Sequence, residues 1–191
     1  MSLSAPSADP KVLIAQESSP EQTFEDFTSE TAWSLGNALR NRILSLPENQ
    51  RKPALISIAL TGGNPLHIVF QAATERGTIP DNENWVRRKR NTVLRWGLSS
   101  WAMRQKMISG LAPGASADQI EAAFVKKYAV PTATGGAVAD EYAIHGGGYP
   151  VRVKGVDGVV AVVVVSGLKQ EDDHQVVAET IREFIAGGKK D

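Results

Sequence analysis

The residues best suited to chemistry in this chain are a lysine and two histidines that lie far apart in the sequence. If this segment is a helix, Lys89 lies in the same apolar stripe as Trp85 and Trp96, and Ser100 lies on that side as well. A lysine on an apolar face must reach solvent or find a partner, because an isolated buried charge is very unfavourable. Two interpretations follow: Lys89 holds an anionic ligand such as a carboxylate, or it pairs with a buried Asp or Glu.

The first histidine, His145, precedes a run of three glycines, Gly146–Gly148. Glycines adopt unusual dihedral angles and let a ligand approach the backbone amides, which is one interpretation of Gly147. The other is a β-bulge or corner that turns the chain into the next strand, and we favour it for the glycines. We expect His145 itself to face a pocket.

The second histidine, His174, falls in the first turn of the predicted last helix, close to Ser166 at the end of an apolar run. It could bind a ligand or be a hydrogen-bonded histidine at the edge of the core. Ser166 lacks a nucleophile-elbow pattern, since Val164 stands where the first glycine should be. Metal-binding and nucleotide-binding motifs are absent too, so we expect a binding role rather than catalysis and no metal site.

Composition narrows the range of partners. The chain has 191 residues, and its 21 Lys and Arg balance its 21 Asp and Glu. A zero net charge argues against nucleic acid or an acidic membrane as the main partner. The absence of cysteine excludes disulfides and thiolate sites. Without a signal-peptide pattern or a spanning apolar segment, we expect a cytoplasmic protein.

The domain organisation is predicted from composition and periodicity. We expect residues 1–20, rich in Ser, Pro and Ala, to be a disordered tail, residues 21–187 to form one domain, and residues 188–191 to fray.

Within that domain the pattern indicates an α+β fold, with helices packed on an antiparallel sheet. The main predicted elements are a hairpin of two strands around Thr61–Asn64, a buried central strand at Val159–Val165, one long helix from about Asp81 to Ser109, and a last helix from about Gln170 to Ala186. Leu94, Leu98 and Trp101 lie on the outer face of the long helix, which either the domain or a second copy should cover.

Several ordered motifs resemble the UPF0303 family of uncharacterised proteins, and its fungal branch in particular. They are Asn84-Trp85, Arg88-Lys89, Ser99-Ser100, Glu141-Tyr142, His145-Gly146-Gly147, Pro150, Ser166-Gly167-Leu168 and Asp173-His174. The part from Gly147 to Asp173 also resembles the wider superfamily of GlcG and PduO-C-terminal-like (HbpS-like) domains. This resemblance implies a profilin-like fold with a five-stranded antiparallel sheet, homo-oligomers and, in several relatives, bound haem.

Three hypotheses of function remain open at this point. The first is a homo-oligomeric domain that binds a small molecule; if that molecule is haem, Arg88 and Lys89 would pair with its propionates and His145 or His174 would be an axial ligand. The candidate ligand-binding residues are Arg88, Lys89, Ser100, His145, Gly147, Ser166 and His174. The second is an interaction protein without ligand chemistry, whose subunits meet through Leu94, Leu98 and Trp101. The third is a haem-degrading enzyme.

Overall fold

The computed structural model describes residues 2–128 and 141–188. Its elements in chain order are α1 (Pro10–Glu17), β1 (Thr23–Phe24), α2 (Ser29–Leu44), β2 (Leu55–Leu60), β3 (His67–Ala73), α3 (Asp81–Trp96), α4 (Ser100–Ile108), α5 (Ala117–Lys127), β4 (Gly148–Val153), β5 (Ala161–Ser166) and α6 (Gln170–Gly188). Among the helices described, none is long and apolar enough to cross a lipid bilayer.

The strands form one five-stranded sheet in the order β1-β4-β5-β2-β3. All neighbours run antiparallel except β1, which pairs with β4 in parallel through two residues. The predicted α+β class and five-stranded sheet are confirmed, with this short parallel edge as the one departure. The predicted hairpin is confirmed as well, because β2 and β3 pair antiparallel on either side of Thr61–Asn64.

The valine-rich strand β5 lies at the centre of the sheet, and all its residues are buried. Alternate side chains of a strand point to opposite faces, so a strand covered on both faces must be apolar throughout. Val163 and Val165 belong to the main core with residues of α2 and α6. Val162 and Val164 pack against α3 on the other face. The sheet is thus enclosed between two layers of helix.

The single helix predicted from Asp81 to Ser109 is wrong, because the chain breaks into α3 and α4 at Gly97. That glycine adopts a left-handed conformation with φ of 65°, and its N–H donates to the Val93 carbonyl. Ser99 then starts α4 by accepting a hydrogen bond from the Ala102 N–H. The apolar period continues across the break, so periodicity alone did not reveal it.

The N-terminal segment is ordered, contrary to the predicted disordered tail. Asp9 caps α1 through the Lys11 N–H, and Leu13 on α1 is buried against Trp101 of α4. The Trp101 indole N–H donates to the Ser7 carbonyl at 3.0 Å. This packing removes Trp101 from the predicted subunit interface, because α1 already covers it, whereas Leu94 is 36% exposed and the interface through Leu94 and Leu98 stays a prediction.

Two expectations about chain ends and loops concern residues beyond those described. The loop predicted through Pro131 and Gly135 lies outside the described residues, as does most of the frayed end, while α6 continues to Gly188. The limits of the domain at residues 21 and 187 remain a prediction.

Candidate functional site

A small hollow opens where α3, the loop before β4 and the start of α6 meet. Its volume is about 260 Å³. Three of the predicted site residues, Lys89, His145 and Ser166, contribute to its wall. The remaining lining residues are Asn82, Trp85, Gly167, Leu168, Gln170 and Asp173.

At the bottom of the hollow, Lys89 forms a buried ion pair with Asp173. The Lys89 ammonium lies 2.8 Å from the Asp173 carboxylate and 3.0 Å from the Val165 carbonyl oxygen. Both side chains are only 3% exposed. The Leu168 N–H donates to the other Asp173 oxygen at 3.0 Å, which ties α6 to the end of β5. The structure therefore supports the second interpretation of Lys89, in which the lysine pairs with a buried Asp or Glu.

The glycine run forms a tight corner over that ion pair. Gly147 has a φ of 119°, and a side chain there would collide with the Val165 carbonyl and come within 2.9 Å of the Lys89 nitrogen. The next amide, Gly148 N–H, donates to the Ser100 hydroxyl at 3.0 Å. Gly147 and Ser100 therefore serve the packing of the corner, which is the interpretation that we favoured for the glycines.

His145 forms the outer wall of the hollow and remains partly accessible, with its side chain 28% exposed. Its ring packs edge-on against Trp85, with the ring centroids 4.8 Å apart. Burial lowers the pKa of His145 to about 4, helped by the charges of Arg104, Lys89 and Arg88. The imidazole is therefore uncharged at neutral pH, its Nδ1 has no hydrogen-bond partner, and its Nε2 lies 3.7 Å from Glu121.

Two arginines supply positive charge beside this imidazole. The Arg88 guanidinium lies over the Trp85 ring, 4.6 Å from its centroid. Arg104 is buried on α4, and one of its terminal nitrogens has no partner. The surroundings of His145 thus combine a neutral imidazole, an aromatic wall and two cations.

His174 lies apart from this hollow, although it follows Asp173 directly. Successive helical residues point about 100° apart, so Asp173 faces Lys89 while His174 points to a different side of α6. The His174 ring lies between Tyr149 and Trp101, with centroids at 5.6 and 6.3 Å. Complete burial lowers the pKa of His174 to about 3. The structure therefore does not bring the two histidines around one hollow.

The sequence analysis did not include Asn82 and Gln170 among the site residues. Asn82 lies seven positions before Lys89 on α3, so the same helical period that selected Lys89 could have found it. Its side-chain amide donates to the Ser166 carbonyl at 3.3 Å. Gln170 begins α6, and its buried Oε1 has no partner. No local pattern marks Gln170, because its position depends on how α6 meets α3.

Together these features define a mixed α+β domain with helices on both faces of a mostly antiparallel sheet and a small polar hollow at one end. In the ranges that the structure covers, no group of three or more His, Cys, Asp or Glu side chains could hold a metal ion. The family model described as haem degrading protein HbpS-like matches residues 27–182.

Two bacterial relatives are similar over most of their length. A UPF0303 protein of Sinorhizobium medicae (strain WSM419) is 38% identical over 162 residues, which cover 85% of this chain and 82% of the relative. The UPF0303 protein SCO2848 of Streptomyces coelicolor is 34% identical over 181 residues, covering 95% and 97%. The crystal structure of the Ybr137w protein matches with a TM-score of 0.76 and 28% identity, over 97% of this chain and 92% of that one.

This chain therefore belongs to the HbpS-like family and, within it, to the UPF0303 proteins. The expected family is confirmed. The two relatives are bacterial, so they give no support to the expected fungal branch.

Proposed function

We propose that this protein binds a small ligand at the hollow beside His145, and that haem is the first candidate. The observation that carries the proposal is the neutral, partly exposed His145 imidazole against Trp85, with Arg88 and Arg104 close by. Neutral imidazole is a common ligand of haem iron, and arginines pair well with carboxylates. The description of the matched family as haem-degrading supports the choice of ligand.

The side chains around the hollow are chemically suited to haem, but the hollow is small for a whole haem. His145 would hold the haem iron and Arg88 would pair with a propionate, while Lys89 is already neutralised by Asp173. A hollow of about 260 Å³ is below the roughly 300–1,000 Å³ of most cofactor sites. One chain would therefore leave part of a haem uncovered. Bound haem would supply redox chemistry at its iron, and the residues around His145 would hold and orient it.

Titration of the purified protein with hemin tests this proposal. Saturable binding with a shifted Soret band is the expected result, and an unchanged hemin spectrum at all protein concentrations would contradict it. A degradation activity would need more: loss of the Soret band with a reductant and oxygen, release of iron, and no suppression by catalase.

We propose, as the alternative role, self-association through the edge of the sheet. β3 is an edge strand whose outer side pairs with no other strand among the described residues, and such edges favour pairing with another chain. Trp33, packed on Phe70 of β3, is 63% exposed, and Ile68 is exposed as well. A zero net charge does not oppose association. Size-exclusion chromatography with light scattering tests this role, and a strict monomer at every concentration would contradict it.

A further inference from the structure

A second cavity, separate from the His145 hollow, lies beneath the N-terminal segment. Its volume is about 350 Å³. The N-terminal segment covers it from two stretches, Ser4–Ser7 and Leu13–Gln22, while β4 and α6 form the floor. The cavity exists only because the N-terminal segment folds back onto the domain.

Three residues that line this cavity carry buried polar atoms without a hydrogen-bond partner. They are Glu17 Oε1, Gln22 Oε1 and His174 Nδ1, on side chains that are all less than a tenth exposed. Buried polar atoms in folded proteins are nearly always paired, so three such atoms around one cavity require an explanation.

The hydrogen bonds that these side chains already make show which of their remaining atoms are free to accept a hydrogen bond. The Gln22 amide nitrogen donates to the Ala178 carbonyl at 2.9 Å, which leaves its oxygen as the free acceptor. The Ser99 N–H donates to Glu17 Oε2 at 2.9 Å, which leaves Oε1. His174 is uncharged, so Nδ1 accepts when the proton is on Nε2. The unpaired atoms together form a set of acceptors.

The ionisable residues that line the cavity indicate the charge of its ligand. Glu179 also lines the cavity; burial would raise its pKa, but hydrogen bonds from Ser4, Gln175 and Arg42 lower it to about 2, so it stays ionised, and the Arg42 guanidinium at 2.8 Å balances its charge. Glu21 and Arg182, which also line the cavity, carry opposite charges. When it ionises, Glu17 adds a negative charge beyond these balanced ones, which favours a ligand with a positive charge.

We propose that this cavity binds a small organic cation with several N–H donors, of the primary ammonium or guanidinium class. Glu17 would accept one N–H and balance the charge, and Gln22 and His174 would accept others. Water is the alternative occupant, because a polar cavity of this size would otherwise be hydrated. This site shares no residue with the His145 hollow, so it stands or falls independently of haem binding.

Calorimetric titration of the full chain with diaminobutane, and with butanediol as the uncharged analogue, tests the proposal. We expect saturable diamine binding, no diol binding, and a loss of about tenfold or more in affinity in Glu17→Gln. Glu183→Gln removes the same charge from an exposed position on α6 outside the lining, and it should bind like the wild type. Gln22→Leu, which removes a different acceptor, should also weaken binding.

A second readout separates binding at Glu17 from a general effect on folding. Burial raises the pKa of Glu17 to about 7, so at about pH 6 the carboxyl is mostly protonated and a bound cation should displace its proton. The measured heat should therefore depend on the ionisation enthalpy of the buffer in the wild type and not in Glu17→Gln. Absence of saturable diamine binding, equal binding of the diol, or equal affinities of Glu17→Gln and Glu183→Gln would each overturn the proposal and leave water as the occupant.

Discussion

Lys89 and Asp173 form an ion pair at 2.8 Å that joins α3 to α6 beneath the glycine corner. A cation that is already paired does not offer its charge to a ligand, so this relationship moves the candidate site outward to His145. It also makes the pair a structural element, since the removal of one partner leaves the other charge buried.

We therefore predict that Lys89→Met lowers the free energy of unfolding by about 3–5 kcal/mol, because Asp173 would remain without its counter-ion. Urea denaturation would measure the loss. The double variant Lys89→Met/Asp173→Asn should lose less than the sum of the two single variants. Arg51→Met gives the matched control, because its pair with Glu75 lies at the solvent-exposed surface and should contribute much less than the buried pair. Equal losses for Lys89→Met and Arg51→Met would contradict this account.

The N-terminal segment should contribute measurably to stability. Leu13 is buried against Trp101, so Leu13→Ala is expected to cost about 2–5 kcal/mol, or the full docking energy of the segment if that is smaller. Val12, on the same helix, is 43% exposed, and Val12→Ala should change stability by less than about 0.5 kcal/mol. Hydrogen exchange at the Ser99 amide, which donates to Glu17, would report whether the segment opens. Similar exchange rates in the two variants would mean that α1 does not dock as described.

The stability difference between the wild type and Glu17→Gln should depend on pH. Because burial raises the pKa of Glu17 from 4.5 to about 7, the folded protein binds this proton more tightly than the unfolded chain. The resulting stabilisation is complete below about pH 4.5 and is lost as the pH rises through about 7.

The expected size of this loss is on the order of 3 kcal/mol, favouring the variant at high pH. Urea unfolding of both proteins across this range would test it. Taking the difference between the two proteins cancels the opposite trend of His174, whose lowered pKa costs stability as the solution becomes acidic. A difference that does not vary with pH would show that Glu17 is not buried in this way.

Self-association through the β3 edge predicts a specific sensitivity at Trp33. Trp33→Glu places a charge on the exposed apolar surface beside Phe70 and should reduce the oligomer mass in light scattering. Val156→Glu is the control, because Val156 is also exposed but lies between β4 and β5, away from that edge. Loss of the oligomer in both variants, or in neither, would argue against this edge as the interface.

The sequence predicted those parts of the fold that depend on local pattern. The valine run of β5 indicated a central strand, and the glycine turn indicated the β2–β3 hairpin. The break at Gly97 was missed because the apolar stripe resumes in α4 with similar spacing. The order of the N-terminal segment was missed because three apolar residues, Val12–Ile14, look too few to dock until Trp101 is known to receive them.

The candidate site was also predicted only in part. Lys89 and His145 do meet around one hollow: Lys89 lies on α3, whose helical period the sequence shows, and His145 lies in the loop just before β4. His174 was grouped with them by its nearness to Ser166 and Asp173 in the sequence. Its direction from α6 instead carries it to the cavity beneath the N-terminal segment, where its neighbour is Tyr149.

Hemin titration of matched histidine variants tests the central claim, ligand binding at His145, most directly. His67→Ala removes an exposed imidazole on β3, and His174→Ala removes the buried one, so both should keep the Soret shift of the wild type. His145→Ala should lose the shift or weaken hemin binding by about tenfold or more. If His145→Ala retained the wild-type spectrum and affinity, the hollow beside Trp85 would not be the haem site.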